Sequence, residues 1–435
     1  MSPVAGSDQV PPPRPVTGRS RSAQAATAPA LRLVPGMSAG AGPRSSARPT
    51  VAASDGYRIA TDKLLFAVVV ALCAVGTVMV LSASAYTSLV DYGSVWSIFV
   101  RQVLWMAVAA VVLAAFARFP YQRLRRFRTV LLVGTIVLLL AVLVPGVGDT
   151  AGGSSRWIGF GQLRIQPSEV MNLALALFAA DLVARRSDRI HRTGAVVVPL
   201  MLVLGFSALL VLLQPDLGTA IVLGCVVFGC LFAGGVPWRT VVTWIGGSLL
   251  AVTMASMVSS YRRARLLSFI NPMAHSQGSG YQVVQSLVGL GSGGLFGVGL
   301  GNGQAKWGLL PNPHTDFIFS VIGQETGLFG TLVVIALFAV LAVAGFRVAG
   351  QATDRFGMLL ATAITCWITA EAAINVGAVI GVLPVTGIPL PYVSFGGSSL
   401  VVIMAATGIL LNIARSAQSR HRQDVGSRSS RRVGR

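Results

Sequence analysis

HTDFIFSVIGQETGLFGTLVVIALFAVLAVAGFR, from His314 to Arg347, is the stretch that decides the fold. Its later part, Leu328 to Phe346, is an apolar run close to the ~20 residues that a helix needs to cross a bilayer. An aspartate, Asp316, stands before the run and an arginine, Arg347, closes it. Nine further stretches repeat the apolar pattern: Leu64 to Leu81, Val103 to Ala117, Val130 to Val144, Val170 to Ala184, Val196 to Leu213, Leu217 to Ala233, Val241 to Val258, Met358 to Leu383 and Val401 to Ile413. The shorter ones need flanking residues to complete a span. Uniform runs of this length predict helices rather than barrel strands, which alternate over about ten residues. The sequence therefore predicts an all-α integral membrane protein with about ten transmembrane helices.

Composition agrees. The chain is 54% hydrophobic and only 11% charged, where soluble domains carry about 25% charged residues, and its mean hydropathy is +0.72. The net charge of +20 does not imply nucleic acid, because its placement follows the rule that basic residues stay in cytoplasmic loops. Arg118, Arg123, Arg125, Arg126 and Arg128, then Arg185, Arg186, Arg189 and Arg192, then Arg239, then Arg347 and Arg355, all fall in every second connection. Both tails share that sign, so both termini are expected in the cytoplasm. Residues 1–58, rich in Pro, Ala, Ser and Arg, and the basic stretch 416–435 are expected to be cytoplasmic tails around a membrane domain at 59–415. The tails are expected to set orientation and to be attracted to anionic membrane lipids. Cys73, Cys225, Cys230 and Cys366 lie in apolar stretches without metal-ligand spacing and are expected to pack.

Alternation leaves two polar connections outside that are long enough for chemistry, Gly146 to Gln166 and Ser259 to Thr315, the latter a large extracytoplasmic loop between helices 7 and 8. A third, Gly381 to Ser399, is uncharged and rich in Gly and Pro, and could form a mobile wall. The large loop carries Arg262, Arg263 and Arg265, then Lys306 and His314; Arg156 and Arg164 lie on the other outer loop. Two readings stand: a solvated basic helix at the headgroup level, or cations that hold an anionic group through guanidinium forks and an ammonium point charge. The run GLGSGGLFGVGLGNG, Gly289 to Gly303, lacks the strand-turn-helix setting of a nucleotide site and predicts close backbone packing or a re-entrant segment.

Carboxylates near membrane depth cost roughly 2.5 to 3.5 kcal/mol on insertion scales and are functional candidates by default. Asp316 can be explained two ways. Thr315 could cap a helix whose first turn holds the acid, gaining about 0.3 to 1 kcal/mol from the helix dipole, or Asp316 could be a general base for a substrate hydroxyl. Glu169 in QPSE and Asp216 in QPDLGTA follow Gln-Pro at outer helix entrances, where structural roles suffice; Glu371, inside a span, is a secondary candidate.

The strings RWIGFGQLRIQPSE, QPDLGTA, YRRARLLSFINP, GYQVVQSLVGLGSGGLFGVGLGNGQAKWGLLPNPHTDFIFSVIGQETG and INVGAVIGVLPVTGIPLPYVSFGGSS resemble, in order, the SEDS family (shape, elongation, division and sporulation). These are the FtsW/RodA-like peptidoglycan glycosyltransferases, and the C-terminal strings look closer to the FtsW branch. The resemblance implies a ten-span SEDS-type fold in the cytoplasmic membrane that polymerises lipid II into glycan strands at its outer face. It also implies a class B penicillin-binding protein as transpeptidase partner, other divisome proteins, and the division septum as location. Asp316 matches the family's essential aspartate. Three positions depart: Asn172 where the family usually has lysine, Glu371 where it usually has glutamine, and Asn312 where glutamate is common.

The expected chemistry is an inverting displacement in which Asp316 takes the acceptor hydroxyl proton while lipid pyrophosphate leaves. Arg262, Arg263, Arg265 and Lys306, with Arg156 and His314 behind them, are the candidates for the pyrophosphate and sugars. No cofactor is required by the sequence, and a divalent cation could share the task. An elongation polymerase, a lipid-precursor flippase or transporter, and a noncatalytic scaffold are the alternatives.

Overall fold

The computed structural model describes residues 61–433, apart from 147, 152–153, 161–162, 191, 259–262, 264–267, 276 and 279. The expected N-terminal tail, residues 1–58, lies outside the described residues.

Ten helices are long and apolar enough to cross a membrane, matching the ten stretches of the sequence. They are α1 (Thr61–Tyr92), α2 (Ser97–Arg118), α3 (Tyr121–Leu143), α4 (Pro167–Arg185), α5 (Thr193–Leu213), α6 (Leu217–Gly234), α7 (Trp238–Val258), α9 (Ile318–Gln351), α10 (Arg355–Val379) and α11 (Gly397–Val433). A shorter helix, α8 (Tyr281–Gly293), belongs to the large connection between α7 and α9. With no proline to stop it, α11 continues past Arg415 to Val433. Gln418 donates to Asp62 at 2.8 Å there.

A small sheet accompanies the helices. Between α3 and α4 the chain forms β1 (Asp149–Ala151), β2 (Ser154–Phe160) and β3 (Leu163–Ile165), an antiparallel sheet in the order β1-β2-β3. This connection lies beyond the apolar runs, where strand hydrogen bonds satisfy backbone groups that no helix holds.

Local sequence explains the helix ends. Pro167 opens α4 at a position where its missing N–H costs nothing. Asp216 caps α6, accepting from the Thr219 N–H at 3.2 Å and its hydroxyl at 2.9 Å. Gly235 closes α6 in the left-handed conformation, φ 90°. Helices α4, α10 and α11 are buried over most of their spans and form the centre, whereas α7 is buried over little of its length.

Helix α9 is broken at Gly327, with φ 70° and ψ −168°. The glycine run enters the break. Val298 and Gly299 donate to the carbonyls of Gln324 and Glu325, while Leu328 and Phe329 donate to those of Gly294 and Leu295. A side chain on Gly297 would meet the Glu325 carbonyl at 2.2 Å. Close backbone packing, one of the two sequence readings of this run, is therefore what it does.

Candidate functional site

Asp316 lies in the turn segment before α9, half-buried. The capping explanation does not hold, because α9 begins only at Ile318 and its N-cap, Phe317, makes no side-chain cap. The carboxylate instead accepts from the Thr315 hydroxyl at 2.5 Å. The backbone beneath it is fixed at three successive carbonyls. That of His314 accepts from the Phe395 N–H at 2.9 Å, that of Thr315 from the Ser394 hydroxyl, and that of Asp316 from Asn375 Nδ2 at 2.8 Å. Asn375 Nδ2 also donates to the Ile388 carbonyl at 2.7 Å, joining α10, the 381–396 connection and the acid. Gly387 borders the carboxylate: a Cβ there would stand 3.8 Å from Asp316 Oδ2, in ordinary contact, and it is the backbone φ of 75° that favours glycine. The 381–399 connection is largely packed inward, with Ile388, Leu390, Tyr392 and Val393 buried.

His314 stacks edge-on against Phe395, ring centroids 5.7 Å apart. Burial pushes its imidazole down to about 4, against a smaller opposing pull from the Asp91 carboxylate. At neutral pH it is therefore uncharged and supplies no positive charge for an anion. Its Nδ1 has no hydrogen-bond partner among the described residues.

Lys306 is 5% exposed. Its ammonium meets Glu325 Oε1 at 2.7 Å and Ser82 Oγ at 2.9 Å. Glu325 also accepts from the Ser82 hydroxyl at 2.7 Å and from the Gly301 N–H at 3.1 Å. The structure thus places Lys306 inside the protein, with its charge already balanced. Beside it Trp307 stacks on Tyr86, centroids 6.3 Å apart. Arg263 is an exposed helical residue; Arg262 and Arg265 lie outside the described residues. Arg156 donates through Nε to the Gln214 carbonyl at 2.9 Å and to the Pro215 carbonyl. It braces the turn that presents Asp216.

The secondary candidates come together. Glu169, Asp216 and Glu371 are each 3% exposed, and their carboxyl groups interact electrostatically. Glu371 Oε1 accepts from Trp367 Nε1 at 2.6 Å and from Asn172 Nδ2 at 3.3 Å. Asp216 Oδ2 accepts from Gln166 Nε2 at 3.4 Å. Glu169 Oε2 and Asn172 Oδ1 are buried without partners among the described residues. Two of the positions that depart from the family pattern, Asn172 and Glu371, are therefore neighbours. No group of three or more His, Cys, Asp or Glu side chains that could hold a metal ion occurs among the described residues.

Sequence reasoning missed Glu325 as the partner of Lys306, and Asn375, Ser394 and Phe395 as the clamps on the Asp316 segment. The strings INVG and YVSFGG contained the clamps, but nothing in them points to residues 314–316.

Comparison with known proteins completes the description. The FtsW/RodA/SpoVE model, described as cell cycle protein, matches residues 62–419. A relative from Mycobacterium tuberculosis, named probable peptidoglycan glycosyltransferase FtsW, is 39% identical over 352 residues, covering 81% of this chain and 67% of its own. Another of the same name, from Geobacter metallireducens, is 36% identical over 353 residues, covering 81% of this chain and 94% of its own. Among solved structures, a chain from work on the structural coordination of polymerization and crosslinking by a peptidoglycan synthase complex superposes with TM-score 0.67 at 29% identity. It covers 81% of this chain and 97% of that one. The Thermus thermophilus rod shape determining protein RodA gives TM-score 0.61 at 27% identity, covering 81% and 96%.

Proposed function

The chain belongs to the FtsW/RodA/SpoVE family of cell cycle proteins, and on that premise we propose that Asp316 is the general base of a polymerase that builds glycan strands from lipid II. The chain is a multi-pass membrane peptidoglycan glycosyltransferase, as the named relatives and the ten apolar helices together support.

The observation that carries the assignment of Asp316 is the clamp on residues 314–316. Three consecutive carbonyls are tied down while the carboxylate, half-buried, keeps access to water. A general base must stand within hydrogen-bond reach of the proton it removes, and a fixed backbone limits the ordering cost of reaching that geometry. In the reaction the acceptor sugar hydroxyl gives its proton to Asp316 as its oxygen bonds to the donor's anomeric carbon. The bond from that carbon to the lipid pyrophosphate breaks with inversion. The Thr315 hydroxyl, 2.5 Å from Oδ1, orients the carboxylate.

Negative charge grows on the departing pyrophosphate. Because Lys306 is committed to Glu325 and His314 is neutral at pH 7, that charge falls to Arg262, Arg263 and Arg265 in the same connection. Fixed cations aimed at developing charge contribute several kcal/mol in such reactions. Under this reading the sheet, the large connection and Asp316 face the outer side of the cytoplasmic membrane, and the arginine-rich ends face the cytoplasm. A class B penicillin-binding protein is the proposed transpeptidase partner, supported by the neighbour from a complex that couples polymerization with crosslinking. The septum is the proposed site, supported by the FtsW relatives.

The test is a product gel with purified protein and lipid II. Asp316→Asn is expected to lose at least about 100-fold of polymerisation, the range for a general base, while keeping its thermal unfolding midpoint. Glycan chains of normal length from the folded variant would refute the assignment.

A further inference from the structure

At the arginine-rich end, far in sequence from Asp316, a cleft of about 500 Å³ is lined by Gln122, Arg125, Arg126 and Arg185. Two of these arginines are anchored on Asp181, whose side chain is 1% exposed and which receives three guanidiniums through their Nε atoms. These are Arg125, Arg128 at 2.6 Å and Arg185 at 2.9 Å. Arg128 also donates to the Arg125 carbonyl at 3.0 Å, and Arg125 lies over the Phe356 ring, 5.5 Å from its centroid. The nearby acid Asp354 is occupied by the Tyr121 hydroxyl and the Gly357 N–H.

One buried carboxylate therefore holds several guanidiniums in place without cancelling their charge. The positive-inside rule explains why arginines are at this end. It does not explain why they converge on a buried anchor beside a cleft. Arg125 and Arg185, fixed to Asp181 through Nε, line the cleft and keep terminal N–H groups, the geometry that matches phosphate oxygens.

The surface next to the cleft is apolar. Arg126, Val130, Val133 and Val137 follow at i, i+4, i+7 and i+11 on α3, so they share one face. The three valines are 71%, 52% and 56% exposed. A charged cleft continuous with an exposed aliphatic stripe along a spanning helix fits a molecule with an anionic head and acyl chains. A free phosphate would have no use for the stripe. Basic pockets at helix ends are known to recognise anionic headgroups in general.

We propose that the α3–α4 cleft binds the headgroup of an anionic phospholipid, with Arg126 and Arg185 as its outer ligands and Asp181 as the residue that positions the inner guanidiniums. In the orientation proposed above this lipid belongs to the cytoplasmic leaflet. Because binding rather than glycan synthesis is measured, the inference can fail while Asp316 remains the base, and the reverse.

The full chain is placed in nanodiscs of phosphatidylcholine with graded phosphatidylglycerol, and retained lipids are counted by native mass spectrometry. Wild type is expected to retain phosphatidylglycerol preferentially. Arg126→Gln, which leaves all three Asp181 ion pairs intact, is expected to weaken that retention about tenfold, equivalent to about 1.4 kcal/mol. Arg239→Gln on α7 serves as the charge-matched control and is expected to retain lipid as wild type does. Equal loss in both variants would reduce the effect to bulk charge and overturn the site. So would wild-type retention by Arg126→Gln. Displacement of the lipid by millimolar glycerol phosphate would overturn the lipid assignment in favour of a soluble phosphate ligand.

Discussion

Lys306 meets Glu325 at 2.7 Å inside the protein, with Ser82 and the Gly301 N–H completing the carboxylate's hydrogen bonds. Glu169, Asp216 and Glu371 are buried just as deeply, yet among the described residues no lysine or arginine forms an ion pair with any of them. Their donors are neutral: Trp367, Asn172, Gln166 and Thr219. A buried charge must be paired or hydrogen-bonded to persist, and the two regions meet that demand differently. In the first, each partner depends on the other. In the second, neutral donors share the load on Asp216 and Glu371, while Glu169 Oε2 has no partner among the described residues.

The strongest way to break this contrast is Lys306→Met. It leaves Glu325 buried without its cation and is expected to cost about 3–5 kcal/mol, whereas the double change with Glu325→Met recovers most of that loss. Denaturation of the detergent-purified variants measures both. If the single change proves as mild as the double, the pair is not an interdependent unit. Next comes Asp216→Ala, which removes the α6 cap and is expected to cost about 0.5–2 kcal/mol; Asp216→Asn, which keeps an accepting oxygen, should cost less. Glu371→Gln sharpens the other side, because the amide can still accept from Trp367 and relieves like-charge crowding. Its unfolding free energy is expected to stay within about 1 kcal/mol of wild type, and Asn172→Lys should stabilise the chain in proportion to the pair it forms with Glu371.

The smallest effect is a pH slope. His314 has a folded value of about 4 against an ordinary 6.5, so between those values the unfolded chain binds the extra proton. Its contribution is fully present above 6.5 and is lost as pH falls from 6.5 toward 4. His314→Phe should flatten the fall in unfolding midpoint across that window and leave the midpoint's pH dependence above 7 unchanged.

The ten apolar helices were legible in the sequence because lipid imposes a length and composition rule on every segment. Asp316 stood out as a candidate through its position at the threshold of an apolar run. Its fixation was not legible. Asn375 reaches the acid's own carbonyl across 59 residues and Ser394 the neighbouring Thr315 carbonyl across 79, and composition contains no information about which distant carbonyl a side chain will find. Lys306 shows the same limit in reverse. A lysine in a polar connection suggests a surface cation, but the chain folds it onto Glu325, 19 residues away, inside the protein. The sheet at 149–165 was missed because short strands in a glycine-containing connection leave little periodic signal.

The break at Gly327 has a consequence for engineering. The four backbone hydrogen bonds that enter it come from Gly294 and Leu295 on one side and Val298 and Gly299 on the other, so the splice tolerates no change in residue count. Adding or deleting one amino acid between Gly294 and Gly299 would misalign the seam, whatever the added side chain. Tags and linkers belong elsewhere in this protein.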